Sequence, residues 1–259
     1  MMIADVTIPL KNWRLIHLLG VSNLRSRYAR SSLGQAWLTI SLLIQLLSTG
    51  LVWSVLWHMP VREFLPYMAV SQIIYQFLAM VIQDATSLFI SDKRLYINQR
   101  LSFFTSIFSN VYKSAIVFAH NLTIIGLFVF FYPGHTNTWM LFLMLGFLPI
   151  LLVFLVASSY VIASICTRYR DLIQVVMSLM NISFLLTPIM WKLTYVPEHL
   201  RGYLFINPFT AFLEVFRNPL LGIDINVWAY YSIGFWTTLA LLMMVYLHRR
   251  FENRIIYWV

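Results

Sequence analysis

The sequence predicts an all-α integral membrane protein. Six transmembrane helices are expected, with an N-terminal amphipathic interface helix and short re-entrant outer helices between the fifth and sixth spans. Three observations predict this. Of 259 residues, 60% are hydrophobic and only 10% charged, whereas soluble domains carry roughly 25% charged residues, so the polar sequence is too sparse to clothe a soluble globule. Stretches without Asp, Glu, Lys or Arg recur at lengths near the roughly 20 residues that a helix needs to cross a hydrocarbon core about 30 Å thick. Turn formers and basic residues fall between those stretches.

Residues 9–30 are too polar to cross, yet place Leu10, Trp13, Ile16, Gly20 and Leu24 at helical spacing, which predicts a helix lying in the interface, opened by Pro9. Residues 31–57 and 64–83 are uncharged, with a tight outer turn at Pro60, Arg62, Glu63 and Pro66. The polar stretch Ser91–Arg100 follows. The uncharged run Ser114–Thr167 is too long for one span and is broken by Tyr132-Pro133-Gly134-His135-Thr136-Asn137-Thr138, giving spans near 106–132 and 139–167. Arg168-Tyr169-Arg170-Asp171 closes the fourth span, and 172–191 and 225–248 supply the fifth and sixth. Between them Asn207-Pro208 and Asn218-Pro219 break an apolar segment, since the residue before proline avoids the helical region. Two short helices dipping into the outer leaflet are expected there. The chain thus divides into an N-terminal segment 1–30, a transmembrane domain 31–250 and a tail 251–259.

Basic residues record the topology. With the N-terminus inside, fourteen of the eighteen Lys and Arg fall on the cytoplasmic side, leaving Arg62, Lys192, Arg201 and Arg217 outside. The bias predicts both termini in the cytoplasm, in keeping with a first thirty residues that hold five basic residues and no cleavable signal pattern. The same reading accounts for the formal charge of +9 and excludes nucleic acid as a partner, because no basic stripe survives removal of the span flanks.

Several chemistries are missing. No glycine precedes Lys-Ser or Lys-Thr, so there is no phosphate-cradling loop, and any ATP used is hydrolysed by another chain. The six histidines are scattered with no i, i+4 pair, Cys166 is alone, and no nucleophile elbow occurs; neither a metal site nor a catalytic centre is expected. Asp84 is the one acidic residue that could sit at membrane depth, and its expected place is near the cytoplasmic end beside basic neighbours. Asn121-Leu122-Thr123 and Asn181-Ile182-Ser183 match the glycosylation pattern within spans and are read as chance. The 17% aromatic content suits interfacial belts and also sugar rings, which find on aromatic faces an apolar surface with a polar handle.

Four segments carry a resemblance. Residues 23–37 (NLRSRYARSSLGQAW), Thr167-Arg168-Tyr169-Arg170-Asp171-Leu172, Leu186-Thr187-Pro188-Ile189-Met190-Trp191, and Asn207-Pro208-Phe209 with Phe216-Arg217-Asn218-Pro219-Leu220-Leu221-Gly222 occur in that order. Together they resemble ABC-2-type permeases, the membrane halves of exporters for O-antigen, capsule and teichoic-acid polymers, over residues 10 to 250. The resemblance implies a homodimer enclosing one channel for a lipid-linked polysaccharide in the bacterial inner membrane, nearest the O-antigen type. Two cytoplasmic ATPase subunits would bind ATP and Mg, and this chain would bind no cofactor. It further implies an interface helix carrying Trp13, Ile16, Leu24, Arg27 and Tyr28. ATPase coupling would fall to Asp92, Lys93, Arg94, Leu95, Tyr96 and Ile97, with Arg168, Arg170 and Asp171 as a second contact. In this scheme Leu95, Tyr96 and Ile97 are an apolar anchor for the ATPase, and Tyr203, Phe205, Phe209, Phe212 and Phe216 an outer gate packed across the dimer axis. Export of a drug or small lipid, a secondary carrier and a multi-span enzyme are the rival classes. The last two lack the paired ionisable residues in spans, or the polar cluster at one face, that they would need.

Overall fold

The computed structural model describes residues 2–27, 36–99, 101–131 and 138–258. Tyr28, Arg30, Arg100 and the turn at 132–137 lie outside them. The described residues form helices and no strand. Helices α1 (Met2–Lys11) and α2 (Trp13–Arg27) precede five helices long and apolar enough to cross a membrane: α3 (Ala36–Leu56), α4 (Val61–Ala85), α7 (Phe103–Phe131), α8 (Thr138–Arg168) and α12 (Val227–Trp258). Between α4 and α7 lie the short α5 (Leu88–Ser91) and α6 (Lys93–Gln99). The shorter apolar helix α9 (Leu172–Leu186) follows α8, and α10 (Glu198–Arg201) and α11 (Pro208–Leu221) precede α12.

The bundle is organised around α4, whose most apolar stretch is 83% buried against 17–39% for the other four long helices. Helices α3, α7, α8 and α11 surround it. Polar pairs tie the bundle where apolar packing alone does not fix register: Thr39 Oγ1 donates to Asn121 Oδ1 (3.3 Å) between α3 and α7, Tyr75 Oη to the Met180 carbonyl (2.6 Å) between α4 and α9, and Asn110 Nδ2 to the Val81 carbonyl (3.0 Å) between α7 and α4. One end of the bundle, here proximal, carries α1, α2, α5, α6, the α8–α9 turn and the end of α12. The distal end carries the α3–α4 turn, α10 and α11.

Several boundaries differ from the sequence reading. Pro9 lies inside α1, not at the start of a helix; the break falls at Asn12, whose N–H still reaches the Ile8 and Pro9 carbonyls. The outer turn between the first two spans is shorter than expected. His58 at φ 52° makes the reversal, α4 begins at Val61, and Pro66 sits in its second turn, where it removes one i→i−4 hydrogen bond without ending the helix. The fifth predicted span, 172–191, is helical only to Leu186, because Pro188 holds Thr187 in the extended region (φ −85°, ψ 135°). Pro219 does not end α11 either. The helix runs to Leu221 and stops at Gly222 in the left-handed region (φ 66°), the usual use of glycine past a helix end. Helix α12 continues through residues 251–258.

Helix α2 packs on α7 through Ile16, Gly20 and Leu24, all buried, as their spacing predicts. Close approach requires glycine at 20: a Cβ there would stand 2.9 Å from Tyr112 Cδ1 and 3.3 Å from the Ser109 carbonyl oxygen. Gly20→Val is therefore expected to lift α2 from α7 and break the bond between His17 Nδ1 and Tyr112 Oη (2.7 Å). Limited proteolysis should then cut α2 faster than in the parent chain, and an unchanged cleavage pattern would refute the contact.

Candidate functional site

Two regions concentrate polar chemistry, one at each end of the bundle. The distal region is built on Arg217, which is 2% exposed. Its Nη1 donates to Tyr67 Oη (2.8 Å), Ser71 Oγ (3.2 Å) and the Pro188 carbonyl (2.6 Å), and its Nε donates to Asn218 Oδ1 (3.1 Å). The guanidinium lies 4.3 Å from the Tyr67 ring centroid, a cation–π arrangement strengthened by desolvation. Glu214, one turn earlier on α11 and also buried, accepts the Asn226 backbone N–H at 3.1 Å. Thus α4, the bent segment after α9, α11 and the start of α12 meet on one ionic centre.

A second knot lies beside it. Asn207 caps α11 by accepting the Phe209 N–H (3.0 Å), while its Nδ2 donates to Thr187 Oγ1 (2.9 Å). Thr187 in turn donates to the Ser183 carbonyl (2.7 Å). The third and fourth resemblance segments, far apart in sequence, are therefore two sides of one junction. A cavity of about 310 Å³ opens next to it, lined by Lys192, Arg201, Glu214, Arg217, Asp224 and Asn226 among others.

The expected outer gate is not built as the sequence suggested. Phe205, Phe212 and Phe216 are buried in the chain's own core, Phe212 tilted against Phe154 (centroids 4.8 Å). Phe209 is partly buried, edge-on to Tyr75. These side chains cannot pack across a dimer axis while they hold α11 in place. Of the five, Tyr203 alone is exposed, at 68%.

At the proximal end, residues 88–99 form two short helices, not a solvated turn. Tyr96 is 1% exposed and packs on Phe89 and Phe103 (centroids 5.9 and 4.6 Å). It anchors α6 to its own bundle and is no anchor for another protein. Consecutive helix residues point roughly 100° apart, so Leu95, Tyr96 and Ile97 cannot form one knob; Leu95 is half-buried and Ile97 exposed. Lys93 and Arg94 are exposed beside it. Asp92 is half-buried, and burial raises its carboxyl above the usual range against hydrogen bonds from Ser106 and Ser91 and the charge of Lys113. Asp84 makes the expected ion pair, with Lys113 at 2.8 Å. In the α8–α9 turn Arg168, Arg170 and Asp171 are exposed, and Arg168 lies over the Trp258 ring at 4.9 Å. Of the interface-helix residues, Ile16 and Leu24 face α7, Trp13 is 62% exposed, and Arg27 ends α2.

Sequence reasoning placed Arg217 in a resemblance segment and among the outer charges but gave it no role. It also missed a third polar centre, where His248 on α12 meets Asp5 on α1 and Glu252 one turn on.

The fold and its two polar ends define a multi-pass helical membrane protein whose distal segments are joined by a buried hydrogen-bonded junction. The sequence profile of the ABC-2 type transporter family matches residues 14–221, from the start of α2 to the end of α11. The chain belongs to the ABC-2 type transporter family and is the membrane permease of an ABC exporter, which implies an ABC ATPase as its partner. No curated protein gives a significant match.

Proposed function

We propose that two copies of this chain enclose a path for a lipid-linked polysaccharide of the O-antigen class. Two copies of a cytoplasmic ABC ATPase would drive it across the bacterial inner membrane, with the proximal end and both termini cytoplasmic. The filled centre of the protomer carries the first part of this reading. Because α4 is buried along most of its length, no polymer passes through a single chain, and a path must run along its surface. Helices α3 and α9 have outward apolar faces including Val55 and Leu185, which a second copy would cover. A polymer in such a path would meet exposed distal aromatics such as Tyr203, Trp228 and Tyr231, whose ring faces suit sliding sugars.

A smaller lipid substrate has its own support. An apolar groove of about 600 Å³ lies between α8, α9 and α12, with Ser183 and Asn207 at its rim. Reconstitution separates the two. Vesicles holding the chain and its ATPase are expected to export lipid-linked polymer with ATP hydrolysis, and the chain alone to hydrolyse none. Cysteines at Val55 or Leu185 should cross-link between copies and stall export. Transport of a single lipid with no polymer stimulation would favour the second reading, and export by a complex with one permease copy would overturn the dimer.

A further inference from the structure

The third polar centre joins the chain's first helix to its last. His248 is 3% exposed, and its Nδ1 lies 2.9 Å from Tyr160 Oη. Its Nε2 lies 3.4 Å from Asp5 Oδ2 and 3.3 Å from Glu252 Oε2. The three donor atoms lie within 4.8 Å of one another, and neither His248 Nε2 nor Asp5 Oδ2 has a hydrogen-bond partner among the described residues. A charge-assisted bond between imidazolium and carboxylate would draw one oxygen to about 2.7–2.9 Å. Here two oxygens stand off at nearly equal, longer distances. Around a tetrahedral ion with ligand bonds of about 2.0–2.1 Å, neighbouring ligand atoms stand roughly 3.3–3.4 Å apart. The two separations from His248 Nε2 match edges of that figure.

The surroundings agree. Metal-bound histidines hold their second nitrogen in a hydrogen bond that fixes the tautomer, and with Nδ1–H donated to Tyr160 Oη the Nε2 lone pair is left free beside both carboxylates. His248 and Glu252 are one turn apart on α12, so they share a face. Phe104 and Tyr160 wall the imidazole with centroids 5.4 and 5.5 Å away.

We propose that Asp5, His248 and Glu252 bind one divalent transition-metal ion of the zinc type, with a fourth position for water, clipping α1 to the proximal end of α12. One imidazole and two carboxylates suit zinc better than calcium or magnesium. Sequence reading could not find this site. The pair at 248 and 252 mixes a histidine with a glutamate, and its third ligand is more than two hundred residues away.

The test uses the full chain in detergent, freed of any affinity tag and treated with chelator. Titration with Zn²⁺ is expected to show one ion per chain, and Co²⁺ to give the intense visible bands of a tetrahedral site. His248→Ala and Asp5→Asn should weaken binding by about 100-fold or more, and Tyr160→Phe by about tenfold, the lower end for an outer-shell partner. His199→Ala, at an exposed distal histidine, should change nothing. If His248→Ala does not fold, Glu252→Gln carries the same comparison. The site is overturned if the folded parent chain binds no stoichiometric metal, if binding survives both ligand variants, or if His199→Ala abolishes it. It is equally overturned if melting shifts with pH but never with zinc, which identifies a shared proton instead.

Discussion

Arg217→Ala is expected to collapse the distal junction. The substitution removes a buried guanidinium and its bonds to Tyr67 Oη, Ser71 Oγ and the Pro188 carbonyl, leaving the carbonyl only the longer bond from Tyr67 Oη (3.2 Å). It also strips the nearby buried Glu214 of its positive neighbour. Breaking a buried charged centre by removing one side costs about 3–5 kcal/mol, a large share of the stability of most proteins. The measurement is thermal unfolding in detergent together with export by the reconstituted complex, and both should fall sharply. Arg217→Lys should be intermediate, since an ammonium keeps the charge but cannot present the planar fork that reaches Asn218 and Pro188 together. A wild-type melting temperature and export rate in Arg217→Ala would show that the junction holds nothing.

Tyr96→Ala is the second large effect, and it separates two meanings of the proximal end. Emptying a fully buried aromatic site costs about 3–5 kcal/mol, so this variant should melt early whether or not an ATPase is present. Arg94→Glu changes an exposed charge and should leave melting nearly unmoved while weakening co-purification with the ATPase. Should Tyr96→Ala keep its stability and lose only the ATPase, Tyr96 would be the partner's anchor after all.

These contrasts mark where the sequence was legible. Charge-free stretches located the long helices because lipid tolerates few ionised residues and every backbone group must be satisfied within the segment. The spacing of Ile16, Gly20 and Leu24 placed them on one face of α2 because helix geometry is local, but the sequence assigned that face to the membrane interface and the structure packs it on α7. Prolines were harder to read. Pro188 ended helical structure, whereas Pro66 and Pro219 lie inside α4 and α11, where each gives up one i→i−4 hydrogen bond and the buried packing of the two helices keeps them helical. Direction along a short helix was not legible at all: Leu95, Tyr96 and Ile97 look alike in hydropathy, and only tertiary packing decides which turns inward. The same holds for Phe212 and Phe216, whose burial comes from α4 and α8 and not from their own segment. The burial of Arg217 gave no local signal, because apart from the adjacent Asn218 the groups that accept from it lie roughly thirty and one hundred and fifty residues away.

Helix α12 has a mechanical consequence. Its 32 residues contain no proline, which at 1.5 Å per residue makes a rod about 48 Å long. Near its distal end Ser232 and Trp236 hold the Phe205 and Ile206 carbonyls (2.6 and 2.9 Å), and its proximal end bears His248, Glu252 and Trp258. No hinge residue separates the two grips. A tilt imposed at the proximal end would carry along the helix to the segment held by Ser232 and Trp236, a pushrod between the side where work would be done and the side where cargo would leave.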